Sequence, residues 1–316
     1  MITNFINALI LVTIIGTLHL NKVDNEEKRT GNPIIDHFEA ADPHIAFVNN
    51  KYYIYATDNT RKDPGFNVWS SGNLKDWVNE GNILSLRSVD FAEGRPWAPG
   101  FIERNGKYYF YFSADDQIGV AVNDSPTGIF VEPLGKPLIE YETDLSTIDP
   151  MVFIDDDGQA YMYYGAVPGL FRRKEADVIL NSLMVRKLND DMVTFEGPRM
   201  FTVRSFDAHI EGTFVFKRKG IYYLMYSAGN YNEKAGSEHA YKVEYATAPS
   251  PLGPFERAGN NPILELSVPM NLASPGHNSL LQIPGTDEWY IIYHAHSGDV
   301  KRRTFIDKWS LIRMGR

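Results

Sequence analysis

At 316 residues, with 43% apolar and 13% aromatic side chains, the chain is long enough for one large all-β domain and rich enough in tyrosine and phenylalanine to build it. A net charge of −9 without a basic stripe excludes nucleic acid as a partner. The absence of cysteine excludes disulfides, zinc–thiolate sites and thiol catalysis, but not export, since a chain this long stands without staples.

The first element in chain order is an apolar run from Phe5 to Leu18. It is short for a membrane span of roughly 20 residues and fits the apolar region of an export signal. Residues 1–20 are therefore read as a signal peptide or an N-terminal apolar anchor. No Lys or Arg precedes the run and no clear small-residue cleavage site follows it, so an uncleaved anchor that tethers the protein to a membrane stays open beside a secreted or periplasmic location. Residues 21–31 are polar and charged, a linker into a domain spanning 32–316.

Within that domain a tyrosine-rich strand recurs: Lys51 to Thr57, Lys107 to Ser113, Gln159 to Gly165, Ile221 to Ser227 and Glu288 to His294. A turn precedes each, at Asn49-Asn50, Asn105-Gly106, Asp157-Gly158, Lys219-Gly220 and Gly285 to Asp287, and most follow a short apolar strand. Turns between apolar runs predict hairpins. Outer segments recur as well: Val68 to Trp77 is similar to Gly119 to Gly128 and to Val243 to Gly253, with Met184 to Asp191 as the third unit's version. A period of about 60 residues lies in the range of propeller blades with loops, and the five units predict a five-bladed β-propeller. Helical periodicity is confined to a turn at 174–180.

Asp42, Asp149 and Glu211 stand in similar settings: Ala41-Asp42-Pro43, Ile148-Asp149-Pro150 and Ile210-Glu211-Gly212. Each opens an inner strand, so the three carboxylates are expected at equivalent points around one channel. Converging carboxylates are what glycosidic cleavage needs. Asp-Pro alone is an ordinary turn dipeptide, and it is the combination with Glu211 and the repeat that points to catalysis.

Five segments in order, Ala41-Asp42-Pro43, Arg95 to Pro99, Ile148-Asp149-Pro150, Glu211-Gly212 and Pro275 to Ser279, resemble glycoside hydrolase family 43 over residues 32 to 307. That resemblance implies a five-bladed propeller acting on xylose- or arabinose-containing glycans with inversion. It implies Asp42 as general base, Glu211 as general acid and Asp149 as the residue that raises the acid's pKa and orients it. The physics suits these roles: the base must be ionised, the acid must hold a proton near neutrality, and a neighbouring carboxylate disfavours a second negative charge. Inversion implies Asp42 and Glu211 carboxyls roughly 6.5–9.5 Å apart.

For substrate binding, Trp97 is expected to wall the sugar pocket by stacking, with a core tryptophan as the alternative. Arg95 reaches a sugar hydroxyl or lies on the surface. His277, at the fifth unit's equivalent point, faces the channel; the resemblance places it beside a bound cation in many members, with an ordinary buried histidine as the alternative. No cofactor is required, and a structural calcium near the channel is allowed, with any part for His277 indirect because calcium prefers oxygen. His294 and His296 share a strand face and could join His277 in a metal cluster, the packed or pocket-lining reading being favoured. Asp155 to Gly158 is a hairpin turn lacking the later glutamate of a calcium loop, and Asp115-Asp116 is by default a solvated loop, with a place at the pocket rim as the alternative. Two departures stand out. Thr213 occupies the place of a proline in many members, and the chain stops at Arg316, leaving the last blade short. The predicted partner is an oligo- or polysaccharide, with exo action favoured. Phe66, Asp116 and loops at 168–171 and 231–239 are expected to set specificity. The rivals are an endo-arabinanase, a fructosidase or galactosidase propeller, disfavoured because its motifs differ, and a non-catalytic glycan-binding propeller.

Overall fold

The computed structural model describes residues 31–309 except 38, 59–62, 142–144, 169–181, 205–208, 231–239, 266, 268–271 and 300. The signal or anchor at 1–20, the linker up to residue 30, the helical turn at 174–180 and the specificity loops at 169–171 and 231–239 lie outside the described residues.

Five antiparallel meanders follow one another. The first blade is β1 (Ala41–Val48), β2 (Lys51–Asp58), β3 (Gly65–Ser71) and β4 (Val78–Ser85). The second is β5 (Trp97–Arg104), β6 (Lys107–Ala114) and β7 (Gln117–Asn123). The third is β8 (Leu145–Ile154), β9 (Ala160–Pro168), β10 (Ser182–Leu188) and β11 (Phe195–Arg204). The fourth is β12 (Ile210–Arg218), β13 (Ile221–Ala228), β14 (Lys242–Ala248) and β15 (Glu256–Arg257). The fifth is β16 (Ala273–Gln282), β17 (Trp289–His296) and β18 (Arg302–Trp309). Among the described residues, the single helical segment is a 3-10 turn at Leu86–Ser88.

The innermost strands close a ring: β1 touches β5, β5 touches β8, β8 touches β12, β12 touches β16 and β16 touches β1. The fold is thus a five-bladed β-propeller. The fifth blade gains a partial fourth strand from the start of the domain, because Ile34 and Ile35 donate their amides to the Thr304 carbonyl at 3.0 and 3.4 Å. Asn32 adds side-chain bonds to Ile306.

The tyrosine repeat has a packing cause. Buried aromatic wedges fill the spaces between blades, with Tyr55, Phe66, Phe110 and Phe112 between the first two. Tyr111, Met162, Tyr164 and Met184 do so between the second and third. A buried tyrosine supplies apolar area but its hydroxyl needs a partner. Tyr55, Tyr111 and Tyr163 find theirs in the carbonyls of Pro126, Met192 and Pro251, at 2.9, 2.7 and 2.6 Å, each in the following blade's loops. Each such ring therefore fills a wedge and ties one blade to the next.

Candidate active site

Every inner strand carries a β-bulge near its start. The register against the second strand shifts between Ala41 and His44, Trp97 and Gly100, Ile148 and Met151, Glu211 and Phe214, and Gly276 and Ser279. In each bulge the second residue takes a left-handed φ: Asp42 51°, Ala98 53°, Asp149 60°, Gly212 60° and His277 45°. Such angles are uncommon outside glycine, and Asp and His are among the residues that tolerate them. Pro43, Pro99 and Pro150 follow in the bulge, where a missing N–H costs no ladder bond.

This registration corrects one expectation. Asp42, Asp149 and His277 occupy the second bulge position, but Glu211 sits one residue earlier, in line with Trp97. Gly212 takes the left-handed place instead. A Cβ there would lie 3.0 Å from His277 Nδ1, so His277 packs directly on the glycine after the acid. Gly276 answers a similar demand, since a Cβ on it would sit 2.0 Å from the Tyr241 ring.

The three carboxylates meet around His277, whose Nδ1 is 3.6 Å from Asp42 Oδ1 and 3.7 Å from Asp149 Oδ2. Asp149 Oδ2 accepts the Gly212 amide at 2.8 Å, which joins it to the backbone beside Glu211. Glu211 is gripped on both oxygens: Tyr241 donates its hydroxyl to Oε1 at 2.7 Å, and His209 Nε2 lies 2.6 Å from Oε2. Asp42 is buried and accepts from Thr57 Oγ1 at 2.9 Å. His294 Nδ1 approaches its Oδ1 at 3.0 Å, and Arg302 donates to the same oxygen at 3.3 Å while holding Glu39 with its other nitrogens.

The electrostatics separate the three acids. Burial alone would raise the Asp42 carboxyl, but Arg302, His277 and His294 outweigh it and hold it well below the ordinary carboxylate range. Burial depresses both imidazoles, so at neutral pH the permanent charge among these is that of Arg302. Burial, Glu211 and Asp42 push Asp149 well up. Glu211 is raised by burial but lowered on balance by His209 and by the bonds from His209 and Tyr241. The proton shared with His209 is drawn to the imidazole, whose own pKa is raised against the pull of burial, while Asp149 and Glu211, as neighbouring buried carboxyls, each disfavour the other's charge.

Trp97 is half-buried at the first bulge position of β5. Arg95 does not extend freely; its guanidinium pairs with Asp115 at 3.3 Å and Asp116 at 3.0 Å, and sits 5.9 Å from the Trp97 ring centre. Asp115 and Asp116 are correspondingly not a solvated loop. Asp115 accepts the Glu93 and Gly94 amides, and Asp116 is buried. Asp155 accepts from Lys217 and Tyr222 and closes the hairpin turn through Gly158. Among the described residues no three His, Asp or Glu side chains are grouped to hold a metal. Calcium takes 6–8 oxygens, and His277 presents a nitrogen, so a calcium beside it would have to be held largely through water. His296 turns away to the Lys301 carbonyl.

Sequence reasoning missed His209, Tyr241, Arg302 and Thr57, and gave His294 a packed or pocket-lining place without its contact to Asp42. His209 stands two residues before Glu211 and was within reach of inspection. Tyr241 and Arg302 come from a loop of the fourth blade and the outer strand of the fifth, Thr57 and His294 from the second strands of the first and fifth, and only the folded ring brings them in.

A propeller that gathers three carboxylates at one end of its channel has the build of a glycosidase. The comparisons agree: the chain matches the family described as glycosyl hydrolases family 43 over residues 30–311 and belongs to it. A beta-D-galactofuranosidase of Aspergillus niger is 30% identical, covering 84% of this chain and 76% of that relative. An arabinoxylan arabinofuranohydrolase of Bacillus subtilis is 30% identical over 84% of this chain but only 58% of its own length. A xylosidase/arabinosidase of Humicola insolens is 30% identical, covering 83% of this chain and 89% of the relative. The crystal structure of a thermostable family-43 glycoside hydrolase superposes with a TM-score of 0.76 at 32% identity, covering 88% of this chain and 91% of the other. The chain is a glycosidase hydrolysing O-glycosyl compounds.

Proposed function

We propose that this glycosidase inverts the anomeric centre while releasing xylose or arabinose from xylo- or arabino-oligosaccharides, with Asp42 as general base, Glu211 as general acid and Asp149 as the modulator of Glu211. The observation that carries the reading is the meeting of the carboxylates about His277, with Asp42 and Asp149 3.6 and 3.7 Å from its Nδ1 and Glu211 beside the amide that Asp149 holds. Asp42, kept ionised chiefly by Arg302, takes a proton from water as that water attacks the anomeric carbon. Glu211 must donate a proton to the departing oxygen. His209 supports this at 2.6 Å: transfer of the shared proton from Nε2 to Oε2 turns the ion pair into a neutral pair and removes the negative charge that stands beside Asp149. The hydrolysis needs no organic cofactor, since water and two proton-transfer groups suffice. Trp97 offers a ring for stacking on the sugar, and the ties of Arg95 to Asp115 and Asp116 support a role in holding that ring in place of a bond to sugar. Export, or tethering through the apolar residues 5–18, is part of the same reading, because polymeric glycans lie outside the cell.

The Aspergillus niger relative gives a specific reason to keep galactofuranosides in view, since arabinofuranosides share their five-membered ring. The test is a panel of nitrophenyl α-arabinofuranoside, β-xyloside and β-galactofuranoside, run on wild type and Asp42→Ala, with linear arabinan and arabinoxylan, whose sugar leaving groups need an acid, run on wild type and Glu211→Ala. Cleavage of the arabinoside or xyloside well above the variant is the expected result. No cleavage of any substrate above its variant would overturn the reading, and arabinan cut internally would replace exo with endo action.

A further inference from the structure

The amide of the second bulge residue is a donor directed away from its own blade. In four of the five blades a side chain from the second strand of the preceding blade meets it. Thr57 Oγ1 accepts from Ala98 at 3.2 Å, Ser113 Oγ from Asp149 at 2.8 Å and Ser227 Oγ from His277 at 2.7 Å, while His294 Nδ1 lies 3.2 Å from the Asp42 amide. These four residues are equivalent by register: each stands opposite the first bulge residue of its own blade, at Ala41, Trp97, Glu211 and Gly276.

The fifth residue of that set is Gly165, opposite Ile148. It has no side chain to offer the next blade. The amide it would have met, that of Gly212, is met instead by Asp149 Oδ2 at 2.8 Å. The missing hydroxyl is not dictated by crowding. A Cβ on Gly165 would lie 3.3 Å from Ile148 Cγ1 and 3.5 Å from the Ile148 carbonyl oxygen, so a small side chain enters with a shift of a few tenths of an ångström, and no left-handed φ demands glycine.

We propose that Gly165 is a positioning residue for the carboxylates: by leaving the ring of amide acceptors open at the third blade, it commits the Asp149 side chain to the Gly212 amide, and so fixes it one residue from Glu211. An amide donated to a carboxylate favours its charged form, so it restores part of the negative charge that burial and the neighbouring carboxylates take from Asp149, and Glu211 feels that part. This rests on the reading of Asp149 as modulator of Glu211, but its geometric half is testable without that reading.

The experiment places Gly165→Ser and Gly165→Ala in wild type and in Asp149→Ala, using the full chain and thermal melts. Asp149→Ala strands the buried Gly212 amide and melts below Asp149→Asn, which keeps an acceptor for it. Gly165→Ser supplies a new acceptor and recovers most of that difference, whereas Gly165→Ala, with the same added Cβ, does not. Equal melting of the Ser and Ala variants in the Asp149→Ala background would overturn the proposal. In the otherwise wild-type enzyme, Gly165→Ser frees Asp149 from the amide and weakens its hold on Glu211. The basic limb of kcat/KM therefore moves to lower pH, with a several-fold loss at its alkaline end, while the Gly165→Ala profile keeps its shape. A Gly165→Ser limb that stays in place overturns the positioning role even where the melts succeed. It would leave the assignment of Glu211 as acid, tested by the substrate panel, untouched.

Discussion

His209 gives the sharpest test of how the acid is set. Its Nε2 lies 2.6 Å from Glu211 Oε2 and is the strongest of the groups that hold that carboxyl down. His209→Ala removes both the charge and the hydrogen bond, so the Glu211 pKa rises. Two unit charges at 4 Å interact by about 4 kcal/mol at an effective dielectric near 20, and a hydrogen bond to a charged group is worth about 1.5–3 kcal/mol. The side chains of His209 and Glu211 keep 32% and 22% of their exposure, so water screens the pair and the lower figure applies. At about 1.4 kcal/mol per pKa unit, the rise is about 1–2 units. The basic limb of kcat/KM nevertheless moves down: the wild-type pair keeps its shared proton up to the raised pKa of His209, whereas in His209→Ala the only proton is the one on Glu211, whose pKa has risen from about 2 and still lies below that of the pair. His209→Gln, which keeps a donor but cannot hold the shared proton, moves it the same way. The assay is a pH profile on a xyloside or arabinoside with a poor leaving group, since nitrophenol departs with little help from an acid. A basic limb that stays put or moves up would refute the account of the His209–Glu211 pair.

Three further outcomes follow from the same geometry. Arg302→Gln removes the cation that does most to hold the Asp42 carboxyl down, so the acidic limb of kcat/KM moves to higher pH; an unmoved limb would show that the neighbouring histidines suffice. Asp149 has a folded pKa above its unfolded value, so the stability it contributes is present below about pH 4 and lost as pH rises through the folded pKa. Asp149→Asn, which keeps an acceptor for Gly212, should therefore melt higher than wild type at neutral pH, with the gain vanishing at acid pH, while hydrolysis falls. Thr213 Oγ1 is buried without a hydrogen-bond partner; Thr213→Val keeps its shape, removes the stranded hydroxyl and should add about 1 kcal/mol of stability, read as an unchanged pH profile with a melting temperature raised by about 2 °C.

The blades were legible because their cause is repeated. A tyrosine that must fill a wedge and place its hydroxyl recurs as Tyr55, Tyr111 and Tyr163, and the turn before each strand recurs with it. The carboxylates were legible as members of a repeat, yet their registration was read one residue wrong at Glu211. Asp-Pro and Glu-Gly look alike as strand openings, and only the left-handed φ of Gly212 shows which residue carries the bulge. Arg95 was misjudged for a related reason: its guanidinium is engaged by Asp115 and Asp116, residues about twenty positions away that enter through the next hairpin. Tyr241 and Arg302 carried no local signal, and His294, though it shares a strand face with His296, carried none that pointed to Asp42. Each is an ordinary strand or loop residue until the ring closes and sets it against Glu211 or Asp42. The ring of amide acceptors was hidden for the same reason, since Thr57, Ser113, Gly165, Ser227 and His294 share nothing but their place opposite a bulge.

The clasp between Ile34-Ile35 and Thr304 does more than hold the two ends together. Arg302, two residues before that clasp on β18, grips Asp42, seven residues after it in the first blade. The nascent chain has made all three acids long before it has made Arg302, so a ribosome-bound or unclosed form carries every proton-transfer group and still has its base untuned. The pH range of the base is therefore set only when β18 docks, so a form lacking that contact would hydrolyse with its acidic limb displaced to higher pH.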